Sequence, residues 1–306
     1  MRQPSNHRLG WSTNELPRKF VENVVGVCGT RGRDWINMLP VLVAQYEKRW
    51  SFRAGPHFPN LSYNYVAPAR RDNGTDIVLK ICLPADDGEA QGERAYLKAM
   101  AGRAVAEILE EDADRDAFLM RRADPGDDLK RSFARDPRAA VEAAIGVLKV
   151  LYQPAVDGFV SLDDWTAKLH DTSACVFPVE YTEKAWKIFK KFSKVGPSLL
   201  HGDFHHENIL SSGGGFIAID PKGIIGDTKY DIGVFLNNHY GWLRDRPDAK
   251  AETHFAAKRF SDAFDCPLRE IHEWAFAQKV LAAFWTCTEG SDGWRRQLTS
   301  ADIWGI

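Results

Sequence analysis

The sequence predicts an α+β protein, with a small β-sheet lobe first and a larger, mainly helical lobe after it. Two observations lead to this fold class. Short β-rich segments around a hairpin turn signal lie before residue 122, and long amphipathic segments rich in Phe and Trp fill most of the rest. A turn-rich link, 123–128, separates them. With 306 residues the chain is long enough for two domains, predicted at 1–122 and 123–306.

The first lobe is predicted to open with a helix. Trp35, Ile36 and Leu39 begin a series of apolar residues at roughly helical spacing that continues to Tyr46. Asp34 is the expected N-cap, and Pro40 is expected to kink or split the helix. The elements predicted after it are strands at 61–66, 76–82, 105–109 and 117–121, a hairpin turn at 71–74, and a helix at about 88–100.

The second lobe is predicted to be mostly helical. Asp127 or Asp128 is a candidate N-cap just after the link. Helices are expected at 139–156 and 181–192, short apolar strands at 198–201 and 216–220, and helical structure from about 227 to 287.

Composition excludes several classes of protein. The net charge of −2 lacks the basic surplus typical of nucleic-acid binders. No apolar run approaches the roughly 20 residues of a membrane helix, and residues 1–8 lack the apolar core of a signal peptide. The five scattered cysteines form no CxxC pair, which favours reduced thiols over a disulfide framework or a zinc site. These features predict a cytoplasmic protein without nucleic-acid or membrane partners.

One segment carries the spacing of a phosphoryl-transfer site. Asp203 follows a predicted strand, Asn208 comes five residues later, and Asp220 ends the next strand. This is the order of the catalytic loop H-R-D-x-x-x-x-N and the metal-binding Asp that follows it in kinases. Asp203 is therefore predicted to orient or deprotonate the accepting hydroxyl. Asn208 and Asp220 offer the hard oxygen ligands that Mg²⁺ prefers.

Lys80 is the candidate phosphate-binding lysine, because a charge within the apolar strand Ile77–Ile81 is costly unless it is paired. Glu93 on the following helix is the expected partner, with Glu89 as the rival. Ser62, between two strand patterns, could contact the phosphates through its hydroxyl or backbone. No GxGxxG is present, and a plain hairpin there is nearly as well supported.

Other residues near the loop receive separate interpretations. His205 lies two residues past Asp203 and is predicted to face the γ-phosphate, as a second catalytic residue. His201 is expected to bond backbone, and Asp231 is expected to brace the loop rather than touch substrate. The aromatic residues of the C-terminal half, such as Trp242, are expected in the core.

The run from His201 to Leu210, followed by Asp220-Pro-Lys-Gly223 and Tyr230-Asp231, resembles the aminoglycoside phosphotransferase family. It looks closest to the streptomycin kinase branch, also called the aminoglycoside/hydroxyurea resistance kinases, for which Asp-Pro-Lys-Gly is a mark. The resemblance spans roughly residues 30–290. It implies a bilobal protein-kinase-like fold with a small antiparallel β-sheet N-lobe and a mainly helical C-lobe.

The resemblance also implies partners. ATP is the implied co-substrate, with Mg²⁺ and with adenine bonded to backbone in the link that contains Met120 and Arg122. The implied acceptor is a cationic aminosugar such as streptomycin, which suits the mildly acidic second half. A monomer or homodimer is expected.

Two other functions stay open at this point. One is a metabolic kinase acting on an amino alcohol, a sugar or a nucleoside-like compound. The other is a nucleotide-binding pseudokinase, which the joint presence of Lys80, Asp203, Asn208 and Asp220 disfavours. Protein-kinase activity is disfavoured as well, because only six residues separate Asp220 from Asp227 and leave no activation segment.

Overall fold

The computed structural model describes residues 15–85, 87–170, 175–192 and 196–306. Residues 1–8, on which the signal-peptide prediction rests, lie outside this part of the chain. The chain folds into two compact units. The first unit comprises residues up to 94 together with 106–122, and the second comprises 95–105 together with 123–306.

The first unit contains one antiparallel sheet. Its elements are α1 (Arg18–Trp50), β1 (Phe52–Ala54), β2 (Tyr65–Arg71), β3 (Asp76–Ile81), the first part of α2 (Glu89–Ala99), β4 (Ile108–Asp112) and β5 (Ala117–Arg121). The five strands are ordered β1-β2-β3-β5-β4, and neighbours are antiparallel. The predicted β2–β3 hairpin is confirmed, with Arg70 opposite Asp76 across the turn.

Helix α1 differs from its prediction. It begins at Arg18 after Pro17, so Asp34 lies within it and the predicted N-cap is wrong. Burial of Phe20 and Val24 extends the apolar stripe toward the N-terminus. The non-helical backbone lies at Gly29 (φ 57°, ψ −130°) and not at Pro40, because glycine tolerates positive φ at low cost.

Two predicted strands are shifted. β2 begins at Tyr65 rather than 61, because Ser62 and Tyr63 are exposed, and Asn64 instead uses its side-chain oxygen to accept from the Leu83 N–H (2.9 Å). β4 begins at Ile108 rather than 105. Val105 instead forms an isolated parallel bridge with Ala218 inside the second unit.

The second unit combines two small sheets with most of the helices. Its strands are β6 (Pro125–Asp128), β7 (Gln153–Pro154), β8 (Val160–Ser161), β9 (Ser198–Leu200), β10 (Ile209–Ser212), β11 (Gly215–Ala218) and β12 (Ile224–Gly226). Its helices are α3 (Leu129–Ser132), α4 (Pro137–Leu151), α5 (Leu162–Thr166), α6 (Val179–Phe192), α7 (Lys229–Leu243), α8 (Ala249–Ala263), α9 (Leu268–Thr288) and α10 (Trp294–Ala301), together with the end of α2. The sheet orders are β11-β10-β6 and β7-β9-β12-β8.

Most predicted elements of this unit are present, with different ends or partners. Asp128 caps a helix as predicted, but this helix is only α3. α4 ends at Leu151 instead of 156, where the chain enters β7 at Gln153–Pro154. β11 ends at Ala218, two residues before Asp220, and β10 and β12 were not predicted. β9 pairs with β7 and β12, and β11 pairs with β10, so the predicted strands at 198–201 and 216–220 belong to different sheets.

Helices α7 and α9 form much of the core of the second unit. Phe235 on α7 and Trp274 on α9 are almost fully buried. None of the helices in the described residues combines the length and apolarity needed to cross a bilayer. All five cysteines of the chain lie among the described residues, and all are free thiols.

Candidate active site

The stretch from His201 to Gly223, here called the catalytic segment, leaves β9 and returns to β12 through the β10–β11 hairpin. Three hydrogen bonds draw it together. The His201 ring bonds the carbonyl of Ile219 through Nε2 (2.9 Å), and the Ile219 N–H donates to the carbonyl of Asn208 (2.9 Å). The Lys222 N–H donates to the carbonyl of His201 (2.7 Å). These bonds bring the stretches that carry Asp203, Asn208 and Asp220 side by side.

His201 and Asp231 fix the backbone before Asp203. Both are buried, and the Asp231 carboxylate accepts from the N–H groups of His201 and Gly202 (2.8 Å each). His201 Nδ1 accepts from the Asp203 N–H (3.2 Å), so Nε2 carries the proton donated to Ile219. Burial lowers the pKa of His201 to about 4, which keeps the ring neutral. The predicted backbone bond of His201 is confirmed, and Asp231 holds the backbone of the loop as predicted. That Asp231 does not touch substrate remains a prediction.

Asp203 lies between Asn208 and His205. Asn208 Nδ2 donates to the Asp203 carbonyl (3.0 Å) and to its Oδ2 (3.2 Å). His205 Nε2 lies 3.5 Å from the same Oδ2, while its Nδ1 accepts from the Glu207 N–H and caps a short 3₁₀ turn. The side chain of Asp203 is 39% exposed, so its carboxylate stays accessible.

The electrostatics keep Asp203 ionised. Burial raises the pKa of its carboxyl, but the hydrogen bond and charge of His205 and the charge of Lys222 lower it, and the net pKa lies below the usual value. Burial likewise lowers the pKa of His205, while its contact with Asp203 raises it, and the net pKa is raised. Asp203 is therefore a charged acceptor at neutral pH, as a base or hydroxyl-orienting group must be.

The Asn208 and Asp220 side chains have the chemistry of magnesium ligands, and their role as such remains a prediction. Because Asn208 directs its amide nitrogen at Asp203, its side-chain oxygen is left as a hard donor, and Asp220 adds a carboxylate. Asp220 has a left-handed backbone (φ 56°), an uncommon conformation that holds the turn after β11. The described residues contain no cluster of three or more His, Cys, Asp or Glu side chains suited to a metal. Mg²⁺ commonly uses one or two carboxylates plus phosphates and water.

A buried histidine pair joins His206 of the catalytic segment to His239 of α7. His206 and His239 are each 1% exposed or less, and their rings share a hydrogen bond (Nε2 to Nδ1, 3.0 Å). The His206 ring stacks on Phe235 at 4.1 Å and lies 5.2 Å from Trp242. Burial lowers the pKa of His239 to about 4 and that of His206 well below its usual value. This pair links the loop to α7 as neutral rings.

In the first unit, Lys80 and Glu93 form the predicted ion pair (2.7 Å). Their side chains are only 3% and 6% exposed, so each charge needs the other. The Lys80 ammonium also lies 5.9 Å from the centre of the Phe118 ring. The predicted ion pair with Glu93 is confirmed. Phosphate binding by Lys80 remains a prediction.

The other predicted nucleotide residues are also in the first unit. Ser62 is exposed in the connection between β1 and β2, and its carbonyl accepts from Asn23 Nδ2 (3.1 Å). Met120 lies buried in β5, with Arg121 and Arg122 exposed after it. The N–H groups of Arg121 and Arg122 donate to the carbonyls of Glu107 (2.9 Å) and Asp76 (3.3 Å). Any adenine contact would therefore use other backbone groups of this link.

Comparison with known families identifies this arrangement. Residues 49–290 match the profile of the aminoglycoside/hydroxyurea antibiotic resistance kinases. The chain belongs to this family. It is therefore a phosphotransferase that acts on small molecules with ATP as co-substrate, and the predicted enzyme class is confirmed at that level.

Individual relatives agree with this family. The chain is 32% identical to a hydroxyurea phosphotransferase of Kitasatospora aureofaciens over 247 residues, covering 76% of this chain and 72% of that protein. It is 24% identical to the streptomycin 6-kinase of Streptomyces griseus over 285 residues, covering 90% and 92%. Among solved structures, the amicoumacin kinase hAmiN superposes with a TM-score of 0.64 at 16% identity, covering 89% and 96%. The predicted protein-kinase-like α+β fold is confirmed.

Sequence reasoning missed three features of the site. Lys222 lies within Asp-Pro-Lys-Gly, a run that by itself predicts no role for the lysine. His239 carried no local signal, because its partner His206 lies 33 residues away in sequence. The ion pair between Lys130 and Glu207 (2.9 Å), which holds α3 against the 3₁₀ turn, likewise joins distant segments.

Proposed function

We propose that this kinase transfers the γ-phosphate of ATP to a hydroxyl group of a cationic aminosugar, with streptomycin as the first candidate. The accessible carboxylate of Asp203, held by Asn208 and His205, is the observation that carries the proposal. The full-length similarity to a streptomycin 6-kinase and the mildly acidic second half of the sequence support the acceptor.

Each predicted residue has a task in this reaction. The Asp203 carboxylate accepts the hydroxyl proton or its hydrogen bond, which aims the oxygen at the phosphorus. His205, bonded to the turn through Nδ1, presents its Nε2 proton to Asp203 and limits the rotation of that carboxylate. Asn208 and Asp220 would hold Mg²⁺, which supplies positive charge to the phosphates.

The nucleotide is assigned to residues of the first unit. Lys80, oriented by Glu93, would donate to the α- and β-phosphates. Ser62 would contact phosphate, and backbone near Met120 and Arg122 would receive adenine. A structure of the related fold, hAmiN, was solved with AMP-PNP and Ca²⁺, which agrees with a nucleotide and a divalent ion.

Hydroxyurea is a second candidate acceptor. The relative named for it is more similar in sequence, 32% against 24%, although the alignment covers less of both chains. Hydroxyurea is far smaller than an aminosugar, so the two candidates demand different acceptor pockets around one transfer site.

The test is ADP release by the purified protein at saturating Mg²⁺–ATP across streptomycin, other aminoglycosides, hydroxyurea and amino alcohols. Asp203→Asn protein serves as the control for contaminating kinases. We expect turnover with streptomycin that the control lacks. Turnover with hydroxyurea alone would select the second candidate, and turnover with an amino alcohol alone would reassign the enzyme to metabolism. The absence of ADP release above the control with every aminoglycoside would reject the aminosugar acceptor.

A further inference from the structure

Lys222 is held against the catalytic loop by its backbone. Its N–H donates to the carbonyl of His201 (2.7 Å). A Cβ atom added at Gly202 would stand 2.9 Å from the Lys222 Cβ, closer than real side chains approach. Gly202 also has a left-handed backbone (φ 82°). Two independent constraints therefore require glycine at position 202, and one of them makes room for Lys222.

The charge of Lys222 reaches the transfer site. It lowers the pKa of Asp203, an effect smaller than that of His205 and opposite in direction to that of burial. Between residues 201 and 226 the sequence has three acidic residues, Asp203, Glu207 and Asp220, and Lys222 as its single Lys or Arg. Glu207 is paired with Lys130. Lys222 is thus the only lysine or arginine of the catalytic segment, two residues after Asp220 in sequence, and its charge acts on Asp203.

A positive charge at this position would assist phosphoryl transfer. Negative charge on the γ-phosphate must be neutralised while two carboxylates stand nearby, and preorganised cations supply much of the stabilisation of the transition state.

We propose that Lys222 is a catalytic residue whose ammonium binds a non-bridging oxygen of the γ-phosphate during transfer. The inference rests on the proposed function and deepens it. The acceptor oxygen forms its bond to phosphorus and gives its proton to Asp203. The bond from phosphorus to the β,γ-bridging oxygen breaks, and ADP leaves with that electron pair. Lys222 stays protonated throughout and transfers no proton.

The test compares Lys222→Met, which removes the charge but keeps a long stem, with Lys222→Arg. Lys187→Met, at an exposed lysine of α6, is the matched control. Binding of AMP-PNP and of ADP, each with Mg²⁺, is measured by titration calorimetry. We expect Lys222→Met to weaken AMP-PNP about tenfold or more, the effect of one charge-assisted hydrogen bond, and to leave ADP within about twofold. Arginine should restore part of the loss.

Turnover gives the second readout. With the acceptor that the wild type uses, Lys222→Met should lower kcat about 10²–10³-fold, as for other donors to developing charge. Equal weakening of ADP and AMP-PNP, or unchanged binding of both, would make Lys222 a structural residue only and overturn the inference while the proposed function stands. Wild-type protein that binds nucleotide but phosphorylates no aminosugar would remove the acceptor assignment and leave the AMP-PNP result to decide Lys222. Wild-type protein that binds neither nucleotide would overturn both.

If Lys222→Met fails to fold, as circular dichroism would show, the same titrations on Lys222→Gln and Lys222→Arg decide the matter. Glutamine should behave as a weakened donor, with AMP-PNP affinity below that of the arginine variant. Identical AMP-PNP affinities for wild type, glutamine and arginine would again exclude a contact between the ammonium and the γ-phosphate.

Discussion

The two units hold their functional charges in opposite ways. In the first unit, Lys80 and Glu93 are buried against each other, and each charge is compensated by its partner (2.7 Å). In the second unit, Asp203 remains 39% exposed. The loop around it is shaped by hydrogen bonds between backbone groups and the side chains of His201, Asn208 and Asp231, and Asp231 is the acceptor in its bonds. The first arrangement ties function to stability. The second is expected to separate them, since Asp203, the carboxylate proposed to react, is partly exposed.

The largest effect is expected at Asp203. Asp203→Asn removes the charged acceptor but keeps the shape and the contact with Asn208. We expect kcat to fall about 10²–10⁴-fold, the usual contribution of a general base, with unchanged binding of Mg²⁺–ATP. Asp245→Asn, at a side chain that is 95% exposed, is the control and should keep full activity. Near-normal turnover by the Asp203 variant would assign its role to another residue.

The ion pair of the first unit should dominate stability. Lys80→Met leaves Glu93 as an uncompensated buried charge, so we expect the free energy of unfolding to fall by about 3–5 kcal/mol. The double variant Lys80→Met/Glu93→Leu should recover most of that loss, because apolar replacements of buried pairs are often neutral. Urea denaturation measures both. A double variant as unstable as the single one would show that the pair itself stabilises the unit.

Substitution of Asp231 should have a smaller effect, and it should lower both the stability and the activity. Asp231→Asn replaces one carboxylate oxygen with a donor that faces the N–H of His201 or Gly202. We expect a loss of about 1–3 kcal/mol of unfolding free energy, the cost of a mismatched buried hydrogen bond, and a lower kcat as the loop loosens. Denaturation and initial rates on one preparation test this. Asp231→Ala should be no better than the asparagine variant, and full activity in either would contradict the bracing role.

The smallest effect at neutral pH is expected at the buried histidine pair. Burial places the pKa of folded His239 at about 4, below the ordinary value of 6.5. As the pH falls below 6.5 the unfolded chain binds protons first, so stability is full above 6.5 and is lost down to about pH 4. His239→Gln, which can still bond His206, should flatten this slope by up to about one proton. Urea denaturation between pH 4.5 and 7.5 measures it, and an unchanged slope would mean that His239 does not contribute.

The sequence reveals the parts of both units that are encoded locally. Lys80 within an apolar strand demands a partner, and Glu93 on the next helix is near in sequence, so the pair could be predicted. Asp203, Asn208 and Asp220 are likewise separated by short, characteristic spacings. Hydrophobic periodicity and turn residues within short stretches of sequence predicted strand β11, the hairpin of β2 and β3, and helix α6.

Features that depend on distant partners were missed. β12 is three residues long and is defined by its pairing with β8 and β9, neither of which is adjacent in sequence. The contact of His206 with His239 requires α7 to pack behind the loop. The break in α1 fell at Gly29 because tertiary burial on both sides extended the helix, which overrode the local signals of Asp34 and Pro40.

The most direct test of the separation between activity and stability compares wild type, Asp203→Asn and Lys80→Met/Glu93→Leu. Both kcat and the free energy of unfolding are measured on the same preparation of each protein. The asparagine variant should lose at least about a hundredfold in kcat while its unfolding free energy stays within about 0.5 kcal/mol of wild type. The double variant should be folded and stable yet inactive, because it lacks the lysine that we propose binds phosphate. A stable double variant with wild-type turnover, or an Asp203→Asn protein that loses stability instead of activity, would contradict the account.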